Sequence, residues 1–180
     1  MFEVEKKYRI KNLTSFIENC KKNKIVFLEK YIEIDKIFVN SEIKDFNFKK
    51  GTAVTRIRKV EGKDNFITLK RKLSDVNSLE LETKIEDIAV MEKILYELGL
   101  HELVTVHKTR QKSQLENINI CLDNVDKIGW FVELEILINN KKNVLEAQQK
   151  IDNLAAQLEL YKDNIETRKY DVLVFEKNDR

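Results

Sequence analysis

The stretch Phe2-Glu3-Val4-Glu5-Lys6-Lys7-Tyr8-Arg9-Ile10 decides how the chain is read. Apolar and charged residues alternate with period two, the pattern of a strand with two unlike faces. Glu3, Glu5, Lys7 and Arg9 share one face. Phe2, Val4, Tyr8 and Ile10 share the other, with Lys6 the exception. One face therefore carries two carboxylates followed by two cations. A single such strand is equally well a wet outer surface or one wall of a site, so the other strands must decide.

They repeat the pattern. Residues 31–39 read as a strand with Glu33 and Asp35 on one face. Residues 53–60 place Arg56 beside Arg58, and the turn Glu61–Asn65 leads into 66–72, where Lys70 and Lys72 share a face with Thr68. Residues 79–85 set Glu80, Glu82 and Lys84 against Leu79 and Leu81. Residues 103–110 bring Lys108 and Arg110 together. Residues 117–124 set Asp123 against Ile118, Ile120 and Leu122. Residues 130–138 set Glu133 and Glu135 against Trp130, Val132, Leu134 and Ile136. Helices are expected over 13–23, capped by Asn12 or Ser15, over 88–98 between Asp87 and Gly99, and over 143–159. The stretch 165–173 reads as a turn and a last short helix. His101 and His107 stand near no nucleophile and read as structural or surface residues.

The composition bounds the possibilities. The 180 residues are enough for one domain with a real core. The charged fraction, 36%, exceeds the usual ~25%, yet 33 basic and 31 acidic residues leave a net charge of only +2. That counts against nucleic-acid binding, which needs a basic excess. The four glycines are scattered, so a glycine-rich phosphate loop is excluded. A charged strand stands where a signal peptide would, no apolar run nears the ~20 residues of a membrane span, and Cys20 and Cys121 form no metal-spacing motif. A reduced, cytoplasmic compartment without membrane attachment is the expectation.

Two readings of the charged faces stay open on the residues alone. In one, helices cover the apolar side of an antiparallel sheet and water covers the other. In the second, the strands close into a barrel with the charges inside. A dry interior could not hold them, because each unpaired buried ion costs several kcal/mol against a total stability of about 5–15 kcal/mol. Opposite charges, water and a charged ligand would be required. The residue types meet that condition. The pairs Glu3/Glu5, Glu80/Glu82 and Glu133/Glu135 offer hard oxygens for Mg²⁺ or Mn²⁺. Lys7, Arg56, Arg58, Lys70, Lys108 and Arg110 offer donors for phosphate oxygens.

Glu3-Val4-Glu5-Lys6-Lys7 resembles the Glu-x-Glu-x-Lys signature of the CYTH, or triphosphate tunnel metalloenzyme, family. Arg56-Ile57-Arg58, Thr68-Leu69-Lys70, Glu80-Leu81-Glu82, Lys108-Thr109-Arg110 and Leu122-Asp123 with Gly129 and Glu133-Leu134-Glu135 follow in that family's order, over residues 2–136. Glu166-Thr167-Arg168-Lys169-Tyr170 is similar to the end of its class IV adenylyl cyclase branch. The resemblance implies an α+β fold, an eight-stranded antiparallel closed β-barrel flanked by helices, as a single domain over 1–180. It implies Mg²⁺ or Mn²⁺ on Glu3, Glu5, Glu133 and Glu135, with Asp123 as a further ligand, and Glu80 and Glu82 as supporting acids. Lys7, Arg56, Arg58, Lys70, Lys108, Arg110 and Arg168 would hold the triphosphate, and Glu5, Lys7 and Glu135 would carry the chemistry. Departures are Ile37, Phe38 and Val39 after Asp35, where an aromatic pair and a second aspartate are usual, and Ser78 in place of an arginine.

Three functions then compete. One is cyclisation of ATP to cyclic AMP and pyrophosphate. Another is hydrolysis of inorganic triphosphate, thiamine triphosphate or a nucleotide. The third is a polyphosphate-binding module without turnover, disfavoured by the full set of metal-type carboxylates. The partner is a small-molecule triphosphate, with a homodimer as a family expectation.

Overall fold

A computed structural model describes residues 2–49, 51–74 and 77–179. Lys50, in the loop expected over 40–52, and the side chain of Lys72 lie outside the described residues. The strands are β1 (Phe2–Arg9), β2 (Tyr31–Asn40), β3 (Ala53–Val60), β4 (Asn65–Ser74), β5 (Asn77–Ile85), β6 (Leu100–Leu115), β7 (Ile118–Val125) and β8 (Gly129–Ile138). The helices are α1 (Leu13–Lys22), α2 (Ile88–Glu97), α3 (Val144–Gln157) and α4 (Tyr170–Asn178). Among the described residues no helix is long and apolar enough to cross a membrane.

The eight strands form one sheet in the order β1-β8-β7-β6-β2-β3-β4-β5. This is the antiparallel α+β architecture expected, with one correction. The barrel is not closed by strand pairing: β1 and β5 are the two ends of the order. The outer edge of β1 is instead used locally. Tyr8 bridges Ile165, and the Glu166 N–H donates to the Lys7 carbonyl at 2.9 Å. At the other end, among the described residues, β5 pairs antiparallel with β4, with a register irregularity between Lys72 and Ser74.

The chain forms two compact units, residues 1–30 with 109–168 and residues 31–108 with 169–180. Strand β6 contributes to both. In the first unit the apolar faces of β1, β7 and β8 meet α1 and α3. Tyr8, Ile120, Leu134 and Ile136 bury against Phe16, Ile151 and Leu154, each at most 3% exposed. Burying an aliphatic or aromatic side chain contributes about 1.5–3 kcal/mol, so this cluster is what flattens β1 and β8 against the helices. Their opposite faces are thereby fixed by parity. In the second unit Phe38 and Ile57 pack on Leu95 of α2, with Ile67 and Met91 around them.

The caps follow the sequence closely. Asn12 accepts from the Ser15 N–H at 3.1 Å and Asp87 from the Val90 N–H at 2.9 Å. Gly99 takes φ +78°, the left-handed conformation that ends α2. Strand β6 runs past its expected end at 110, to Leu115. Gln111 to Gln114 are polar on both parities, which hides the strand in the sequence. The Leu28 N–H donates to the Lys112 carbonyl at 2.8 Å, so the chain before β2 lies along β6 there.

Candidate active site

In the first unit the strand register sorts the acidic face. Glu5 stands opposite Glu135 and Lys7 opposite Glu133 across β1 and β8. Asn119 stands opposite Glu135 and Cys121 opposite Glu133 across β7 and β8. Like charges directly opposite one another in an antiparallel pair are destabilising. The crowding of the whole acidic face shows in Glu5. Although its side chain keeps solvent contact, crowding desolvates the carboxylate, and Glu133 and Glu3 add repulsion. Together they push Glu5 up to about 7, against the opposing effect of Lys7. Glu135 is also raised, by desolvation and by Glu3 and Glu133, while a hydrogen bond from Asn119 works the other way.

The donor chemistry fits a hard divalent cation. Glu3, Glu5, Glu133 and Glu135 all bring carboxylate oxygens, and their mutual repulsion is what a cation relieves. Among the described residues no three donors already stand in coordinating geometry. Asp123 is held differently. It is fully buried and accepts two hydrogen bonds from Arg110, at 2.7 Å from Nε and 2.5 Å from Nη2. Arg110 Nη2 also meets Glu133 at 2.6 Å. Burial opposes the charge on Arg110, but these two carboxylates prevail and keep its pKa well above the usual arginine value. Burial pushes the neighbouring Cys121 thiol up to about 11. Arg168 lies on Glu166, at 2.9 and 2.8 Å, and Glu166 also faces Arg9 at 3.6 Å.

The second unit carries the other basic positions, again in strand register. Asp35 of β2 stands opposite Arg58 of β3, and Arg56 stands opposite Thr68 of β4, itself opposite Glu82 of β5. Arg58 forks onto Asp35 at 2.6 and 2.8 Å. Lys108, 4% exposed, reaches Glu33 at 2.9 Å and Asp35 at 3.5 Å. Thr68 donates to Glu82 at 2.6 Å and accepts from Arg56 at 3.2 Å. Lys70 meets Glu80 at 3.0 Å. Each of Arg56, Arg58, Lys70, Lys108, Glu80 and Glu82 is thus on a charged face, held by a partner of opposite sign. Sequence reasoning placed Glu33 and Asp35 on one face but gave them no role. Their parity, matched to that of Arg58 and Lys108, was the available signal.

Asp35 carries a measurable consequence. Burial acts to raise its pKa, but the hydrogen bonds from Arg58 and the charges of Lys108 and Arg58 overcome it and hold Asp35 down to about 2. An unfolded aspartate titrates near ~3.9. The resulting stabilisation is fully present above that value and is lost as pH falls toward about 2. Its size is on the order of 2 kcal/mol. Urea unfolding midpoints between pH 5 and 2 should therefore fall more steeply for the native chain than for Asp35→Asn. Parallel pH profiles would show that Asp35 is not held in this way.

The chain is an α+β protein with one eight-stranded antiparallel sheet whose charged faces sort carboxylates and cations by strand register. The comparisons with known proteins place it more narrowly. The CYTH domain matches residues 1–170. A Methanocaldococcus jannaschii protein named "Putative adenylate cyclase MJ0240" is 34% identical over 176 residues, which span 94% of this chain and 97% of that protein. The PH1819 protein of Pyrococcus horikoshii OT3 shares the fold with a TM-score of 0.79 at 30% identity, over 98% of this chain and 99% of its own. A Vibrio parahaemolyticus protein described as a "putative adenylate cyclase" has a TM-score of 0.79 at 22% identity, over 96% of this chain and 98% of its own, a likeness of fold alone. The chain belongs to the CYTH family.

Proposed function

We propose that the chain is a divalent-metal-dependent enzyme that cyclises ATP to 3′,5′-cyclic AMP and pyrophosphate. The observation that carries the metal-dependent part is the facing pair Glu5 and Glu135, with Glu5 pushed up to about 7. The name of the 34% identical archaeal relative favours cyclisation over hydrolysis.

In this reading Glu3, Glu5, Glu133 and Glu135 hold Mg²⁺ or Mn²⁺. The bound ion supplies charge neutralisation at the phosphates and makes the attacking hydroxyl more acidic. Lys7 faces Glu133 and presents an ammonium to phosphate oxygens beside the acids. Arg110, oriented by Asp123 and Glu133, presents a fixed guanidinium. Arg56, Arg58, Lys70 and Lys108, within the second unit, are of the residue types that bind phosphate oxygens. Glu33, Asp35, Glu80 and Glu82 hold them in place, so little reorganisation is needed when an anion arrives. The ribose 3′ oxygen bonds to the α-phosphorus. The bond from that phosphorus to the oxygen bridging to the β-phosphate breaks, pyrophosphate leaves, and the hydroxyl proton is released. Arg168, beside Glu166, adds a further guanidinium.

The test is product analysis after incubation with ATP, inorganic triphosphate or thiamine triphosphate, each with Mg²⁺ or Mn²⁺. Cyclic AMP and pyrophosphate in equal amounts from ATP are expected. Orthophosphate without cyclic product would replace cyclisation by hydrolysis, and binding without any product would reject the enzyme reading.

A further inference from the structure

Beside Glu135, within the first unit, lies a cavity of about 550 Å³. Its wall is built from the segment before β2. The Leu28 N–H donates to the Lys112 carbonyl at 2.8 Å, and Ser113 Oγ donates to the Val26 carbonyl at 2.8 Å. This pins the segment to the edge of β6. Yet the aliphatic side chains of Val26 and Leu28 stay 77% and 67% exposed, and both line the cavity. A pinned backbone that holds two aliphatic groups at the rim of a polar cavity presents an apolar wall that a flat ring can cover.

The other lining groups are polar and directional. Asn119 donates to Glu135, and Gln114 Nε2 donates to the Glu116 carbonyl at 2.9 Å. Each amide spends one N–H on the protein, which leaves its second N–H and its carbonyl oxygen for a ligand. Lys112 adds a cation near Glu135. The volume lies within the about 300–1,000 Å³ usual for small-molecule sites, where apolar walls take a ligand's faces and a few polar groups read its edges.

We infer that this cavity is the base subsite: it receives the nucleoside of a nucleoside triphosphate, with Val26 and Leu28 against the ring face and the Gln114 and Asn119 amides pairing with its edge. An amide that offers one donor and one acceptor can pair with the hydrogen-bonding edge of a purine. The inference rests on the triphosphate reading, because Glu135 belongs both to the carboxylate set and to the cavity lining.

The experiment is isothermal titration with Mg²⁺ and three probes: α,β-methylene ATP, α,β-methylene GTP and inorganic triphosphate. The proteins are the native chain and Leu28→Ser/Gln114→Ala, both exposed positions. The native chain should bind the adenosine analogue about tenfold or more tighter than inorganic triphosphate. The variant should lose that advantage and keep its affinity for inorganic triphosphate. Binding of neither nucleotide analogue more tightly than inorganic triphosphate, an unchanged variant, or equal loss for nucleotide and inorganic triphosphate would each overturn the base subsite while leaving triphosphate binding intact. Failure of the native chain to bind any of the three would overturn the triphosphate reading itself, and the base subsite with it.

Discussion

Glu5→Ala and Glu135→Ala are each expected to cut Mg²⁺- or Mn²⁺-dependent turnover about 100-fold or more, while the sheet stays folded. The two carboxylates face each other across β1 and β8, and each is raised by desolvation and by repulsion from Glu3 and Glu133, so the crowding of the acidic set is a cost in the metal-free protein. Removing either one should therefore leave metal-free stability unchanged or raise it by a few tenths of a kcal/mol at neutral pH and above. Added Mg²⁺ or Mn²⁺ should raise the unfolding temperature of the native chain by mass action and do less for either variant. This combination separates a metal site from a structural ion-pair network. In a structural network, alanine would lower both stability and turnover, and metal would stabilise all three proteins equally. Unchanged turnover in both variants would reject the assignment.

Asp123→Ala should have the opposite signature, a large loss of stability. Asp123 is fully buried and takes two hydrogen bonds from Arg110, itself almost enclosed. Removing one partner of a buried pair leaves the other charge uncompensated, at a cost of about 3–5 kcal/mol. Glu133 remains on Arg110 at 2.6 Å, so the lower end, about 3 kcal/mol, applies. For a chain of this size that corresponds to an unfolding temperature lowered by roughly 6–12 °C. Asp123→Asn, which keeps one acceptor, should lose less. A loss below ~0.5 kcal/mol for Asp123→Ala, in urea denaturation, would show that the pair does not hold the fold.

The sequence carried most of the sheet, because parity is local. The alternation in Phe2–Ile10 and in 130–138 fixes which side chains share a face whatever the strands pair with. It does not fix register. That Glu5 meets Glu135, and Lys7 meets Glu133, depends on how far β1 slides along β8, a contact more than a hundred residues apart in sequence. The closed barrel was expected by resemblance, and no local pattern could show that the β1 edge would be used by Ile165 and Glu166.

Site residues were readable to the same extent. Arg56, Arg58, Lys70 and Lys108 stood out as basic pairs on charged strands. The partners of Arg58 and Lys108, Asp35 and Glu33, lie on β2, which pairs beside them only in the folded sheet. Asp123 reads as a metal-type carboxylate in the sequence, and only the fork from Arg110 shows it engaged. The end of β6 was hidden because Lys112, Ser113 and Gln114 break the alternation. The cavity formed with Val26 and Leu28 was hidden along with it.

The central claim is that the Glu5 and Glu135 carboxylates hold a divalent cation. Its most direct test is titration of the nucleotide-free protein with Mn²⁺, followed by the paramagnetic resonance signal of the free ion at pH 8. The native chain should remove Mn²⁺ from solution saturably, and the Glu5→Ala/Glu135→Ala chain should not. Equal uptake by both, or none by the native chain, would contradict it.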